Sequence, residues 1–342
     1  MTTQEETTPE RRDIPHGEEF AIDASQVTKL FGEHRAVNDV SFQIKRGEVV
    51  GFLGPNGSGK TTTMRMITSF YTPDIGNIKI KGLDTLQHDI ETRKFMGYLP
   101  ENNPLYGDLL VSEYLNFVAD LRGLTGVERQ RNIDLTVEET GLNEYYYKLV
   151  NTLSKGYRQR TGLAGAILHR PDILIMDEPT EGLDPNQRIT IRELIKRLGE
   201  ERTIMLSTHV LREIEGTCNR VLLINRGKLV LDATTEEMYK LVRSSASVNV
   251  QVQGKNIEKA LARLPGINLV TSKGADDEGE RFSLEHDGQG DLRPEIFKLA
   301  KKNNWVLWEL HEQQPNLEDV FREFTVDVEK AQVQEQEDAA QA

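Results

Sequence analysis

Gly54-Pro55-Asn56-Gly57-Ser58-Gly59-Lys60-Thr61 is the stretch of this 342-residue chain that decides its fold. It matches the pattern G-x-x-x-x-G-K-[ST], in which glycines let the backbone turn tightly and point successive N–H groups at one anion. Lys60 supplies a cation for the β- and γ-phosphates of a nucleotide, and the hydroxyl of Thr61 is suited to Mg²⁺. The sequence therefore predicts a nucleoside triphosphate site.

The residues on either side of this loop have the pattern that a phosphate site requires. Glu48 to Leu53 is predicted to be a buried strand entering the loop, and Thr61 to Phe70 a helix leaving it. The helix begins at the loop, so its unpaired N–H groups favour a bound phosphate. We expect the nucleotide to contact Gly54, Pro55, Asn56, Gly57, Ser58, Gly59, Lys60, Thr61 and Thr62.

A pair of acids follows a second apolar segment. Ile173 to Met176 is predicted to be a buried strand, and Asp177-Glu178 comes directly after it. An acid at this end of a strand can hold Mg²⁺ through water, and its neighbour can orient or deprotonate an attacking water. Solvated acids also end strands in ordinary sheet proteins, but the phosphate loop favours the catalytic interpretation.

The order of the predicted elements indicates an α/β fold followed by a smaller α+β unit. Strands and helices alternate as in a parallel sheet, except that residues from about 101 to 160 are mostly helical and form an inserted subdomain. The distal segment is predicted to have the order βαββαβ, which is typical of a ferredoxin-like sandwich. We expect a nucleotide-binding domain over 21–243 and an accessory ferredoxin-like domain over 244–325.

Charge and composition restrict the possible partners. The net charge is −13, with six acids and two arginines in residues 1–20 and five acids and one lysine in residues 326–342. We expect both acidic tails to be disordered. The sequence has no polybasic segment, so we expect no nucleic-acid partner.

Apolar patterning and cysteine use bear on location. No stretch approaches the ~18 consecutive apolar residues of a membrane-spanning helix, and the polar start of the chain does not resemble a signal peptide. The single cysteine, Cys218, excludes a disulfide within the chain and fits a reducing cytosol.

Further motifs resemble those of the ABC ATPases. Leu153-Ser154-Lys155-Gly156-Tyr157-Arg158-Gln159-Arg160 resembles their signature sequence and stands shortly before Asp177-Glu178-Pro179-Thr180. Gly182-Leu183-Asp184 resembles their D-loop, and Ser207-Thr208-His209 contains a residue like their switch histidine. These motifs extend over about residues 21–235, and most other phosphate-loop enzymes lack the signature.

The resemblance implies catalytic and metal-binding roles. Glu178 activates water, His209 contacts the γ-phosphate, and Asp177 and Thr61 serve Mg²⁺. Glu101 stands where many members have a glutamine that senses Mg²⁺ and the membrane partner. A carboxylate can also ligate Mg²⁺, although it adds a negative charge near the phosphates.

The resemblance also implies contacts with the rest of the nucleotide. Phe31 stacks on adenine, with an ordinary aromatic at a strand end as the alternative. Ser154 and Gly156 bind the γ-phosphate of ATP that is held by the opposite subunit. Ser154 is equally suited to cap its own helix, and the two roles are compatible.

Two departures from the commonest signature indicate a subgroup. Lys155 and Tyr157 replace the first glycine and the glutamine of the usual signature. Together with Glu101 and the segment from Tyr98 to Tyr106, they resemble gliding-motility-type ATP-binding subunits of export-class transporters. The name describes sequence kinship alone.

The expected function is that of an ATPase subunit that powers an ABC transporter. The resemblance implies that ATP joins two ATPase domains, and every expected site residue is present, so a homodimer is self-consistent. It also implies separate transmembrane subunits and a location on the cytoplasmic face of the cell membrane. The alternative is an ABC-type ATPase that acts mechanochemically without a membrane partner.

An apolar cluster follows Glu101. It consists of Pro104, Leu105, Tyr106, Leu109 and Leu110. In the resembling family, this segment receives a short helix of the membrane subunit, whereas the simpler interpretation is that the cluster packs the helical subdomain onto the sheet.

Overall fold

The computed structural model describes residues 20–238, 247–286 and 290–313. Its strands are β1 (Phe20–Phe31), β2 (His34–Lys45), β3 (Val49–Leu53), β4 (Ile75–Ile80), β5 (Leu83–Asp84), β6 (Met96–Leu99), β7 (Ile173–Met176), β8 (Thr203–Thr208), β9 (Arg220–Asn225), β10 (Lys228–Thr234), β11 (Ser247–Gln253), β12 (Ile267–Asp276), β13 (Gly279–His286) and β14 (Val306–Gln313). Its helices are α1 (Lys60–Ile67), α2 (Asp89–Lys94), α3 (Val111–Leu121), α4 (Gly126–Thr140), α5 (Lys155–Ile167), α6 (Pro185–Gly199), α7 (Leu211–Ile214), α8 (Ile257–Leu261) and α9 (Arg293–Lys302).

Some of the predicted boundaries lie outside the described residues. Residues 1–19 and 326–342 of the expected tails lie there, and so does the expected boundary between residues 243 and 244. Phe20, which the sequence analysis assigned to the N-terminal tail, is the first residue of β1 and pairs with Lys45.

The described residues form two compact units. The first comprises residues 20–50, 56–207 and 226–228, and the second comprises residues 51–55, 208–225, 229–238, 247–286 and 290–313.

The first unit contains an antiparallel sheet with the strand order β2-β1-β4-β5. β1 lies between β2 and β4, and Ile22 is paired with Ile44 of β2 and with Ile80 of β4. All three isoleucines are fully buried, so apolar contact between adjacent strands stabilises this sheet. β1 ends at Phe31.

The first unit also contains the parallel strands β6, β7 and β8, which are neighbours in that order. Every residue of β7 and β8 is buried, as expected for parallel strands that are covered on both faces. Leu99 pairs with Met176, and Met176 pairs with Leu206. This register brings the carboxyl ends of the three strands to one edge, where Asp177 and Ser207 lie side by side.

Between β6 and β7 the chain forms α3, α4 and α5, which share a core of their own. The core contains Leu115 of α3, Ile133 of α4 and Ala164 of α5. α4 ends at Thr140 and is followed by Gly141, which has φ of +66°. A left-handed glycine at this position is a common way to end a helix.

The second unit contains the end of β3, with β9 next to it and β10 beyond β9. Its distal part has the order β11-α8-β12-β13-α9-β14, and the four strands form an antiparallel sheet with the order β12-β13-β11-β14. Val248, Val250 and Val252 alternate along β11 and share a core with Ile257 of α8 and Ile296 of α9.

None of the helices in the described ranges is both long enough and apolar enough to cross a membrane.

His169 lies just after α5 and links this helix to the parallel strands. Its Nε2–H donates a hydrogen bond to the carbonyl oxygen of Met96 in β6 at 3.0 Å. Burial, and secondarily the charge of the Arg122 guanidinium, lower the pKa of His169 to about 4. The imidazole is therefore neutral in the folded protein at neutral and mildly acidic pH.

Because the folded-state pKa of His169 lies below the unfolded value, the unfolded chain binds this proton first as the pH falls. We expect the free energy of unfolding to decrease by on the order of 1–2 kcal/mol between pH 6.5 and pH 5 through this residue. His169→Gln retains an N–H donor but cannot become charged, so this part of the decrease should disappear. Urea denaturation of both proteins at the two pH values measures the difference. An equal decrease in the free energy of unfolding of both proteins would contradict the lowered pKa of His169.

Candidate functional site

The phosphate loop leads into α1 through two left-handed glycines. Gly57 has φ of +79° and Gly59 has φ of +108°, which glycine adopts at little cost. α1 begins at Lys60, directly after Gly59. Thr61 and Thr62 therefore lie in the first turn of this helix and are half-buried, while Asn56 and Gly57 are exposed. The N-terminus of the helix and the loop have the arrangement that binds phosphate.

The turn between β9 and β10 holds the phosphate loop in place. The N–H of Gly227 donates to the carbonyl oxygen of Ser58 at 2.8 Å, and the carbonyl oxygen of Gly227 accepts from the N–H of Asn38 at 2.8 Å. One carbonyl of the loop is thereby engaged by the protein itself. The loop conformation is supported by a turn that is distant in sequence.

Lys60 and Glu178 form a buried ion pair. Lys60 Nζ lies 3.3 Å from Glu178 Oε1, and the two side chains are 5% and 8% exposed. Charges that are so little solvated must be paired, because each would otherwise be strongly destabilised. The structure thus brings the lysine of the phosphate loop directly to the second acid after β7.

Asp177 is held by groups from two neighbouring strands. Its Oδ1 accepts a hydrogen bond from the Ser207 hydroxyl at 2.6 Å, and its N–H donates to the carbonyl oxygen of Leu99 at 2.8 Å. Burial, and secondarily the charge of Asp177, raise the pKa of Tyr98 to about 12. Tyr98 is therefore neutral, and it places no second anion beside Asp177.

The donor set fits a magnesium ion. Asp177 is 1% exposed, and its Oδ2 has no hydrogen-bond partner among the described residues. A buried carboxylate oxygen of this kind and the hydroxyl of Thr61 are hard oxygen donors, which Mg²⁺ prefers. Glu101, the third predicted metal residue, is exposed in the loop after β6.

Phe31 offers an exposed aromatic ring at the end of β1. It is 45% exposed, and its ring meets the ring of Tyr71 edge to face at 5.4 Å. The ammonium of Lys29 lies 5.8 Å from the centre of the Phe31 ring and pairs with Asp74 at 3.2 Å. These contacts hold a ring that is still partly exposed, as stacking on a base requires.

The signature segment forms the start of α5. Ser154 is the N-cap, and its side chain accepts a hydrogen bond from the N–H of Tyr157 at 3.5 Å. Gly156 is buried, and a Cβ at this position would clash with the side chain of Gln187 in α6. The Lys155 ammonium lies against Gly182, which has φ of +65°. α5 and the segment that leads into α6 therefore pack together at these residues.

Gly54, Pro55 and His209 belong to the second unit and are described within it. The N–H of Gly54 donates to the carbonyl oxygen of Thr208 at 3.3 Å, which joins the start of the phosphate loop to the end of β8. The Thr208 hydroxyl donates to Glu213 Oε2 at 2.6 Å and accepts from the N–H of Val210 at 3.0 Å. These bonds fix the turn that carries the half-buried His209.

Within the first unit, the structure brings together Lys60, Asp177 and Glu178 from the predicted set, and it adds Ser207. The sequence analysis quoted Ser207 within a motif without assigning it a role, although its position at the end of a parallel strand was a usable signal. Tyr71 was also missed. No local pattern marks it, because its contact with Phe31 joins two segments that are 40 residues apart.

Comparison with known sequences finds the same family in a family model and in a related protein. Residues 37–181 match the family model described as ABC transporter. The linearmycin resistance ATP-binding protein LnrL of Bacillus subtilis is 30% identical over 307 residues, which cover 89% of this chain and 98% of the relative.

Two solved structures are similar to the chain in fold. The cbiO1 protein from Clostridium perfringens, described as part of the ABC transporter complex cbiONQ, has a TM-score of 0.61 and 25% identity over 72% of this chain and 97% of its own. A bacterial ABC transporter cassette with a dimeric structure has a TM-score of 0.57 and 27% identity over 62% of this chain and 98% of its own.

The buried ion pair can be tested without nucleotide. Lys60→Met removes the ammonium from the Glu178 carboxylate, and we expect the apparent free energy of unfolding to fall by about 3–5 kcal/mol. In Lys60→Met combined with Glu178→Gln the carboxylate charge is also removed, so at least half of the loss should be recovered. Urea denaturation measures both effects.

The control for the Lys60 and Glu178 variants is Lys298→Met. Lys298 and Glu295 form an exposed pair at 4.0 Å, so the change should cost less than about 0.5 kcal/mol. Additive effects of Lys60→Met and Glu178→Gln would show that the two side chains do not interact.

Proposed function

This chain belongs to the family of ABC transporter ATP-binding proteins, and we propose that it is the ATP-hydrolysing subunit of an exporter, acting on separate membrane-spanning subunits. The cassette of this family is an ATPase that binds ATP. The observation that carries the proposal is the buried cluster of Lys60, Asp177 and Glu178, which combines a phosphate-binding cation, a metal-binding acid and a potential base.

In the proposed reaction, Glu178 orients and deprotonates the water that attacks the γ-phosphate. Lys60 is the ion-pair partner of Glu178, and a triphosphate offers Lys60 another anion. Nucleotide binding would thereby release Glu178 for its role toward water. Asp177 and Thr61 would hold Mg²⁺, which when bound neutralises charge on the phosphates, and Glu101 is a third candidate ligand.

The remaining contacts with ATP are proposed from position. His209 contacts the γ-phosphate, because it directly follows Thr208, the last residue of β8, whose carbonyl oxygen is bonded to Gly54. Phe31 stacks on adenine with its exposed face. The loop residues from Gly54 to Thr62 surround the phosphates.

We propose that the chain works as a homodimer. Ser154 is exposed at the N-terminus of α5, and Gly156 follows it in the first turn. An anion at such a helix start is favoured by its free N–H groups. This surface is suited to the γ-phosphate of ATP held by a second copy, and the dimeric cassette among the similar structures supports the arrangement.

The proposed contact with the membrane subunits is an exposed apolar patch of Tyr106, Phe117 and Leu121. Tyr106 is 57% exposed and meets Phe117 edge to face at 5.5 Å, and Leu121 lies one helical turn further along α3. Leu105, by contrast, packs against the core of the α3–α5 segment. The apolar cluster predicted from sequence therefore divides into a packing part and an exposed part.

The export class, the gliding-motility-type subgroup and the location on the cytoplasmic face of the membrane are parts of the same proposal. They are supported by the signature variants Lys155 and Tyr157 and by the relative that is named for linearmycin resistance. Tyr157 stacks on Tyr145 with ring centres 3.7 Å apart, so the variant residue has a packing role of its own.

We assign the helical segment between β6 and β7 as an inserted subdomain and residues 244–325 as a ferredoxin-like accessory domain. The order βαββαβ and the strand order β12-β13-β11-β14 support the second assignment. We favour a role in dimer stability or docking for this domain over ligand sensing.

Glu178→Gln should abolish most turnover while leaving nucleotide binding nearly intact. The amide has the shape of the carboxylate but cannot accept the proton of water, so kcat should fall by about 10²–10⁴. Steady-state phosphate release and the affinity for a fluorescent ATP analogue are measured side by side. Glu144→Gln, an exposed surface change, is the control, and near-normal turnover of Glu178→Gln would remove this residue from its role.

Ser154→Arg should prevent ATP-driven dimerisation without weakening nucleotide binding to the monomer. The added bulk and charge lie at the proposed contact with the opposite subunit, whereas Lys60→Ala should weaken nucleotide binding itself. Light scattering of Ser154→Arg in the Glu178→Gln background, with ATP but without Mg²⁺, tests the model. Equal loss of nucleotide binding in Ser154→Arg and Lys60→Ala would contradict a site that two subunits share.

Tyr106→Ala should weaken association with integral membrane proteins and leave basal ATPase activity unchanged. A buried aromatic anchor contributes ~2 kcal/mol or more to an interface, so the affinity should fall by about 30-fold. Copurification from solubilised membranes measures the effect, with Tyr147→Ala as an exposed tyrosine control. A lower melting temperature with unaltered membrane association would assign Tyr106 to packing.

A further inference from the structure

Ser207 is a buried polar residue whose contacts join the two acids of the site. It lies at the end of β8, is 0% exposed, and is placed beside Asp177 by the pairing of Leu206 with Met176. Its hydroxyl donates to Asp177 Oδ1 at 2.6 Å and accepts from the N–H of Glu178 at 2.9 Å. One oxygen atom thus contacts two consecutive residues that the reaction requires.

The chemistry of these two bonds requires a hydroxyl. A hydroxyl is donor and acceptor at once, whereas alanine makes neither bond and a thiol makes both weakly. The proton of Ser207 is committed to Asp177 Oδ1, which leaves Oδ2 as the oxygen without a hydrogen-bond partner among the described residues. Ser207 therefore determines which oxygen of Asp177 is available to a cation.

The second bond acts on the backbone of Glu178. This residue has φ of +46°, a left-handed conformation that is strained for a residue other than glycine. The N–H that Ser207 accepts belongs to this strained residue. The bond therefore helps to hold the backbone from which the Glu178 side chain reaches Lys60.

We propose that Ser207 is a positioning residue for ATP hydrolysis, setting both the free oxygen of Asp177 and the direction of Glu178. The inference rests on the roles proposed above for these two acids. Ser207 acts only through them. Its loss should therefore lower turnover and cation affinity while the affinity for metal-free nucleotide is unaffected.

The test is Ser207→Ala, with Ser207→Thr as the variant that retains the hydroxyl. For Ser207→Ala we expect kcat to fall by about 10–100-fold and the affinity of the protein–ATP complex for Mn²⁺ to fall by a similar factor. The affinity for a fluorescent ATP analogue in EDTA should change by less than about twofold. Ser207→Thr should recover most of both losses.

The Mn²⁺ affinity is measured by electron paramagnetic resonance of the free ion in the Glu178→Gln background, where ATP is not consumed. Ser112→Ala is the matched control, since Ser112 is also a buried serine but lies on α3. Melting temperatures of all variants give the folded fraction, and every affinity is expressed per folded molecule. If Ser207→Thr does not fold, the proposal is tested by the Mn²⁺ affinity of Ser207→Ala compared with that of Ser112→Ala.

Turnover and Mn²⁺ affinity of Ser207→Ala that equal those of Ser112→Ala would overturn the proposal. So would a loss of turnover without a loss of Mn²⁺ affinity, accompanied by equal loss in a folded Ser207→Thr. The turnover of Glu178→Gln distinguishes failure of the proposed function from failure of the proposed role of Ser207. An active Glu178→Gln contradicts the proposed function, whereas an inactive Glu178→Gln with an unaffected Ser207→Ala contradicts only the role of Ser207.

Discussion

The ion pair between Lys60 and Glu178 is the interaction on which the site depends. A lysine and a glutamate that are less than a tenth exposed are tolerated only when each neutralises the other. Lys60 is the first residue of α1, and Glu178 follows β7, so the pair requires the helix and the strand to meet at one point. The lysine of the phosphate loop and the proposed base are thereby held together.

Residues distant in sequence hold the phosphate loop and the two acids in place. The hairpin turn at Gly227 engages the Ser58 carbonyl of the phosphate loop, and Ser207 of β8 holds both Asp177 and the backbone of Glu178. Buried polar groups of this kind are stable because each has a partner. Asp177 Oδ2 has no hydrogen-bond partner among the described residues, and this is the atom where a cation would be bound in the proposed chemistry.

The residues proposed to contact ATP or other subunits from the surface differ from the buried acids. Ser154, Tyr106 and Phe31 are exposed and lie at the beginning of a helix, in a loop and at the end of a strand. The helices behind the first two share their own core, which contains Leu115 and Ile133. A separately packed segment can present such residues without disturbing the buried ion pair.

The sequence by itself determined the nucleotide class, the acids after β7 and the order of the elements. These follow from local rules, since glycine spacing fixes the shape of a loop and apolar runs mark buried strands. Only the tertiary structure decided that Lys60 faces Glu178, that Ser207 joins the two acids, and that Tyr71 supports Phe31. The reason is physical: strand register and the packing of distant segments create these contacts, and no pattern within a single segment encodes which side chain it will meet.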